Sequence, residues 1–160
     1  MVGDIYTHGE LRRAREKWRR EGRVVVFTNG CYDILHPGHI RTLERCKALG
    51  DILILALNSD ESVAIIKGPK RPLVNENDRA ALASALAAVD AVTLFDEETP
   101  RHLISRILPD VLVKGSDWSH FVAGREEVEA AGGKVVLLPI EPGFSTTATV
   151  EEIVSRRNAE

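Results

Sequence analysis

Two histidines three residues apart, His36 and His39, enclose a proline and a glycine in the tetrapeptide His36-Pro37-Gly38-His39. Pro37 suits the first turn of a helix, and Gly38 lets a ligand approach the backbone. If a helix starts here, both imidazoles lie on one side of its N-terminus, beside unpaired amides and the positive end of the dipole. Such a corner can hold a phosphate and stabilise negative charge that grows on it in a transition state. Taken alone, the pair has other readings. Histidines at i and i+3 can ligate a metal, although no further ligand cluster accompanies them, or they can be structural. Ser145-Thr146-Thr147 precedes the last helical stretch. Its hydroxyls can grip phosphates at a second helix N-terminus or serve as an ordinary N-cap.

Cations and hydrogen-bonding groups fall nearby in the pattern. Lys67 and Arg71 sit in KGPKRP, where Gly68, Pro69 and Pro72 forbid regular structure. A loop of that kind can close over phosphates, while Lys70 is a solvated charge. Arg79 opens the next helical stretch, and surface ion pairing is the plainer alternative for it and for Lys67. Asp33 and Asn58 fall in strand-end loops, where they can read an acceptor by hydrogen bonds; Asp33 can equally organise its loop. Cys31 and Cys46 form neither CxxC nor another metal-ligand pattern, so free thiols in a reducing compartment are expected. Cys31 lacks a base-and-orienter arrangement and is not expected to be a nucleophile.

The elements that must position these groups alternate regularly. Residues 24–28 are a continuous apolar, β-branched run, as in a strand buried on both faces of a parallel sheet. The loop carrying His36 and His39 follows, then an amphipathic helix that Gly50 is expected to end. Further strands are expected over 51–57, 91–95, 110–114 and 134–140. Helices are expected over 59–67, 79–89 (capped by Asn77 or Asp78), 100–108, 124–133 and 148–157. Residues 9–21 form a basic helix whose Leu11, Ala14 and Trp18 line one face. Its arginines are expected to be solvated.

The expected fold is α/β, a three-layer Rossmann-like sandwich with a five-stranded parallel sheet. The chain is expected to form one domain over 1–160, with an N-terminal basic helix over 1–22 and the core over 23–160. Ligands of open α/β sheets bind beyond the carboxyl ends of the strands, where the strand order reverses. The first strand ends at Thr28-Asn29-Gly30, which puts the histidine loop there. No GxGxxG follows it, so a dinucleotide-binding redox protein is a weak reading, and the absence of GxxxxGK[ST] excludes a P-loop.

A net charge of −3 over 160 residues argues against a dedicated nucleic-acid binder. No targeting signal is visible, and no apolar run approaches the length of a membrane span. A cytoplasmic protein is expected.

The segment TNGCYDILHPGH resembles the first signature of the HxGH nucleotidyltransferase superfamily, in its cytidylyltransferase-like branch. The similarity continues through LGDILILALNSD, KGPKRP, DRAALASALAAVD, PDVLVKGSD and PGFSTT. That run looks closest to adenylyltransferases acting on D-glycero-β-D-manno-heptose 1-phosphate, in their stand-alone form. The resemblance implies that His36, His39 and Lys67 act on the reacting phosphates. Thr28, Asn29, Gly30, Arg79, Lys114, Gly115, Asp117, Ser145 and Thr146 would contact the nucleotide. Asp33, Asn58, Lys67 and Arg71 would face the acceptor, and Trp118 would either stack near the base or pack in the core. ATP and a sugar 1-phosphate are the implied substrates, with Mg2+ bound through the ATP phosphates and no metal site of the protein's own. A homodimer is implied as well. The alternatives are a cytidylyltransferase acting on glycerol 3-phosphate or a phosphoalcohol, more distantly flavin-nucleotide or pantetheine-phosphate adenylylation, and a non-catalytic nucleotide sensor.

Overall fold

The computed structural model describes residues 3–118 and 120–158, the side chains of 118 and 158 excepted. Its elements follow the order β1 (Asp4–Ile5), α1 (His8–Arg20), β2 (Val25–Gly30), α2 (Pro37–Lys47), β3 (Ile52–Asn58), α3 (Asp60–Lys67) and α4 (Glu76–Ser84). Then come β4 (Ala91–Phe95), α5 (Arg101–Ile107), β5 (Val111–Gly115), α6 (Arg125–Ala130), β6 (Lys134–Leu138) and α7 (Thr146–Asn158). The strands form one parallel sheet in the order β1-β4-β3-β2-β5-β6.

The sheet has six strands, one more than the sequence pattern suggests. The extra strand, β1, pairs Asp4 with Ala91 and Ile5 with Val92 at the sheet edge. Two exposed residues carry no period that could announce a strand.

Alternation along the strands builds two cores. Val25 and Phe27 face a layer containing Leu11 of α1, Leu103, Ile104 and Ile107 of α5, and Val128 of α6. Val26, Leu53, Leu55 and Leu57 face Leu43 and Cys46 of α2 and Ala80 and Ala83 of α4. Burial of both faces explains why β2 and β3 read as continuous apolar runs.

Several local expectations shift. Helix α4 begins at Glu76, because Asn75 caps it by accepting from the Asp78 amide. The helix ends at Ser84, short of the alanine-rich run's own end at 89. Tighter turns there (Leu86 N to Ala83 O, Val89 N to Leu86 O) lead the chain round so that Val89 enters the core. Tertiary burial overrides alanine's helix propensity. Gly50 does not end α2, which closes at Ala48. A Cβ at Gly50 would meet Val24 O at 2.7 Å, so glycine is needed there for close packing. In α1, Arg15 is buried rather than solvated; its guanidinium donates to Asp110 (2.9 Å) and to the carbonyls of Ile107 and Leu108.

Candidate active site

Strands that follow β2 in sequence run to both sides of it, with β3 on one flank and β5 on the other. The β2–β5 ladder pairs Val26 with Val111 and Phe27 with Leu112. Beyond it, side chains bridge the two strands. Thr28 Oγ1 donates to Val113 O (3.2 Å), and Lys114 Nζ donates to Asn29 Oδ1 (3.1 Å). Burial lowers the Lys114 pKa, partly offset by the nearby Asp117. Asp117 lies back over Gly115, where a Cβ would meet its Oδ1 at 2.5 Å.

From Gly30 the chain turns through Tyr32, in the left-handed region at φ 48°, into α2. His36 is the N-cap of α2; its Nδ1 accepts from the His39 amide at 3.3 Å, and Pro37 occupies the first turn. That bond leaves Nε2 as the N–H donor of neutral His36. The two imidazoles stack with centroids 3.7 Å apart and planes 12° from parallel. Charging both would cost about 4 kcal/mol at an effective dielectric of ~20. Desolvation depresses the His39 pKa to about 4, with His36 adding to the effect, and desolvation also lowers His36. His39 Nδ1 is buried without a hydrogen-bond partner among the described residues. Both rings are therefore neutral N–H donors near pH 7.

The N-terminus of α7 meets that of α2. Ser145 Oγ accepts from the Ala148 amide as a cap, and Thr146 Oγ1 donates to Ile34 O (3.2 Å) in the loop before His36. Phe144 lies beside His36, centroids 5.8 Å apart. A groove of about 430 Å³ runs from His36 past Gly143, Phe144 and Ser145 along one side of α7 to Arg156. Phe144 was not among the residues singled out by sequence. Its only signal is an aromatic in the turn between Gly143 and the hydroxyl run.

The remaining candidates divide. Lys67 is exposed at the end of α3. Lys67, Arg79 and Lys114 all act electrostatically on the Cys31 thiol, but burial dominates and raises its pKa, as suits a group that is no nucleophile. Asp33 is buried and organises the loop after α3. It accepts from Arg71 Nε (2.6 Å) and from the amides of Leu73 (2.8 Å) and Val74 (2.9 Å). Asn58 is likewise buried, its side-chain amide donating to Ser62 Oγ (2.9 Å).

Arg79, expected as a nucleotide contact, lies inside the protein. It is 1% exposed and donates to Val74 O, Cys31 O, Asn58 O and Asp60 Oδ1. A guanidinium so enclosed acts on the site through the strand-end loops it joins. The Trp118 side chain lies outside the described residues.

Fold and site together define a Rossmann-like α/β protein of the nucleotide-binding kind, in which two helix N-termini converge at the topological switch point. The cytidylyltransferase-like family model matches residues 27–152, and the chain belongs to that family. It is 48% identical over 147 residues to the bifunctional protein HldE of Syntrophotalea carbinolica, covering 91% of this chain and 30% of that protein. Against the bifunctional protein HldE of Koribacter versatilis, identity is 50% over 149 residues, covering 92% of this chain and 31% of that protein. The chain thus spans less than a third of the length of these relatives.

Among solved structures, the lipopolysaccharide core biosynthesis protein of Thermoplasma volcanium is 31% identical with TM-score 0.60. That match covers 75% of this chain and 98% of the other. Pantoate-beta-alanine ligase from Francisella tularensis, complexed with beta-gamma ATP and β-alanine, shares the fold at 14% identity and TM-score 0.63, over 88% of this chain and 69% of its own.

Proposed function

We propose that the chain is an adenylyltransferase that transfers AMP from ATP to D-glycero-β-D-manno-heptose 1-phosphate, giving ADP-heptose and pyrophosphate. The observation that carries this reading is the convergence of the His36–His39 corner with the Ser145–Thr146 helix start. The heptose acceptor draws on the likeness to the HldE proteins and to the lipopolysaccharide core biosynthesis protein.

In this reaction a phosphate oxygen of the sugar attacks the α-phosphorus in line. A new P–O bond forms while the bond to the bridging α–β oxygen breaks, and pyrophosphate leaves with that electron pair. The attacking monoester is already ionised near pH 7, so no general base is required. His36 Nε2–H and the His39 ring donate to the α-phosphate oxygens as charge grows there. Ser145, Thr146 and the first amides of α7 hold the β- and γ-phosphates. Lys67, exposed at the end of α3, reaches in with its side chain to neutralise the leaving pyrophosphate, and Arg71, through Asp33, orders the loop that follows. Asn29, Lys114, Gly115 and Asp117 border the nucleoside, with Thr28 and Gly30 shaping the floor beneath it. Asn58 and Asp33 set the acceptor side.

Hydroxyl, ammonium and imidazole donors suit a polyphosphate. In this reading magnesium would arrive on the ATP phosphates. There it would neutralise phosphate charge.

No helix among the described residues is long and apolar enough to cross a membrane. We infer a cytoplasmic enzyme and a homodimer. The dimer would cover exposed Ile140, Ile153 and Val154; sedimentation at graded concentration tests it.

Pyrophosphate release is measured with ATP or CTP, each paired with heptose 1-phosphate or glycerol 3-phosphate. Release only with ATP and the heptose phosphate is expected. Release with CTP and glycerol 3-phosphate would move the assignment to a cytidylyltransferase, and no release from any pair would favour a nucleotide sensor.

A further inference from the structure

A column of flat groups crosses the site. Tyr32 and His39 rings lie 4.7 Å apart, His39 and His36 3.7 Å, and His36 and Phe144 5.8 Å, with Arg41 Cζ 5.3 Å from the Phe144 centroid. Phe144 comes from a segment far along the chain, yet its seat is closely fitted. A Cβ at Gly38 would stand 2.9 Å from Phe144 Cβ and 3.1 Å from His36 Nδ1, so only glycine leaves the space.

The outer face is held as well. Arg41 stacks on the ring and pairs with Glu141 (3.5 Å), which also takes Arg45 at 2.7 Å; the Glu141 side chain is 12% exposed. Residues 151–157 of α7 are exposed, so its start is fastened to the body at this corner. His36 has one hydrogen bond at Nδ1, from the amide of its own helix. A single bond leaves the imidazole able to rock, whereas flat neighbours on both sides fix its plane.

We propose that Phe144, held by Arg41, Glu141 and Arg45, is a positioning residue that sets the His36 ring and locks the α7 N-terminus to the α2 N-terminus. The two phosphate grips then move as one unit. The catalytic consequence rests on the adenylyl-transfer reading; the ring-setting does not.

The charged groups around His36 are His39 and Arg41 on α2, Glu141 before α7, and Glu152 and Arg156 lining the same groove. Burial holds the His36 pKa down, so removing its aromatic cover exposes the ring and raises its titration midpoint. The test is NMR titration of the His36 ring without substrate, together with kcat and KM for ATP, in the full chain.

Phe144→Ala is expected to raise the His36 midpoint and to lower kcat/KM for ATP about tenfold or more, as loss of positioning does. Phe144→Tyr is expected to restore both. Glu141→Gln, which leaves the ring and removes its holder, should lower kcat/KM by less, while the lost carboxylate acts downward on the His36 midpoint. An unchanged midpoint and unchanged kcat/KM in Phe144→Ala would overturn the proposal. Should that variant melt early, the midpoint in Phe144→Val, which keeps an apolar side chain, changes no charge and uncovers part of the ring, decides: a rise supports the proposal and no change overturns it. If the natural protein releases no pyrophosphate, the functional reading falls and the midpoint alone decides the ring-setting.

Discussion

The two rims of the sheet use the same kinds of residue to opposite ends. At the amino rim, Asp51 accepts from the Val24 amide (2.8 Å), Asp110 from Val25 (2.7 Å) and Asp90 from Leu53 (2.6 Å). Two of these carboxylates also hold a cation, Lys47 on Asp90 and Arg15 on Asp110. At the carboxyl rim, His39 Nδ1 lacks a partner among the described residues, and burial depresses the pKa values of His36 and His39. One rim closes its polar groups on each other; the other leaves a buried ring nitrogen open. The contrast is not absolute. Arg15 Nη1 is unpartnered at the first rim, and Asp33 and Arg79 are closed at the second. Closure, rather than residue type, separates glue from ligand.

The comparison breaks most readily at His39. Under the adenylyl-transfer reading, His39→Ala should cut pyrophosphate release by about 10²–10³-fold, the cost of losing one transition-state donor. Its melting temperature should stay within about 4 °C of the natural protein's, the shift of a change near 1 kcal/mol. A large melting shift with modest loss of turnover would make His39 part of the frame.

Asp110→Ala should do the reverse. It strands the 3% exposed Arg15 and uncaps the first amide of β2. The expected loss in urea unfolding is about 3 kcal/mol, the lower end for breaking a buried pair because Asp110 is itself half-exposed. kcat of the folded fraction should hold.

A matched pair of glycines sharpens the contrast. Gly50→Ala would drive a methyl into Val24 O and Val26 Cγ2, each 2.7 Å away at the amino rim. Overpacking of that kind costs about 1–3 kcal/mol of stability, with no change expected in turnover. Gly38→Ala would press on Phe144 Cβ and the His36 ring in the first turn of α2, with an overpacking cost of the same order, about 1–3 kcal/mol. Its turnover, unlike that of Gly50→Ala, should fall. Equal behaviour of the two variants would remove the distinction between the rims.

Much of this was legible because it is local. The apolar runs at β2 and β3 announced buried parallel strands, and the Pro37 helix start with its two histidines followed from four consecutive residues. What escaped depends on long-range closure. No pattern near Arg15 shows that Asp110 will meet it, and none near Arg79, read as a nucleotide contact or a surface ion pair, shows that the carbonyls of Cys31 and Asn58 will close on it. Phe144 escaped for the same reason: its meaning lies in His36, more than a hundred positions earlier. β1 escaped because two residues make no period.

The last expected effect is on stability against pH, and it arises at the carboxyl rim. His39 is held at about 4 in the folded chain, against about 6.5 for a free imidazole. Between those values the unfolded chain binds a proton that the folded chain does not, so stability rises with pH across that window. It is complete above the unfolded value and is lost as pH falls toward 4. His36, also depressed by burial, adds in the same direction. Carboxylates such as Asp33, whose pKa burial raises but whose partners lower it overall, lose their contribution at lower pH still. Urea midpoints taken every half unit from pH 4 to 7 should therefore slope in the natural protein and slope less steeply in His39→Gln, where His36 alone of the pair remains. A slope that survives the substitution unchanged would assign the linkage to other groups, and would leave the buried, unpartnered imidazole without the energetic signature that sets this rim apart.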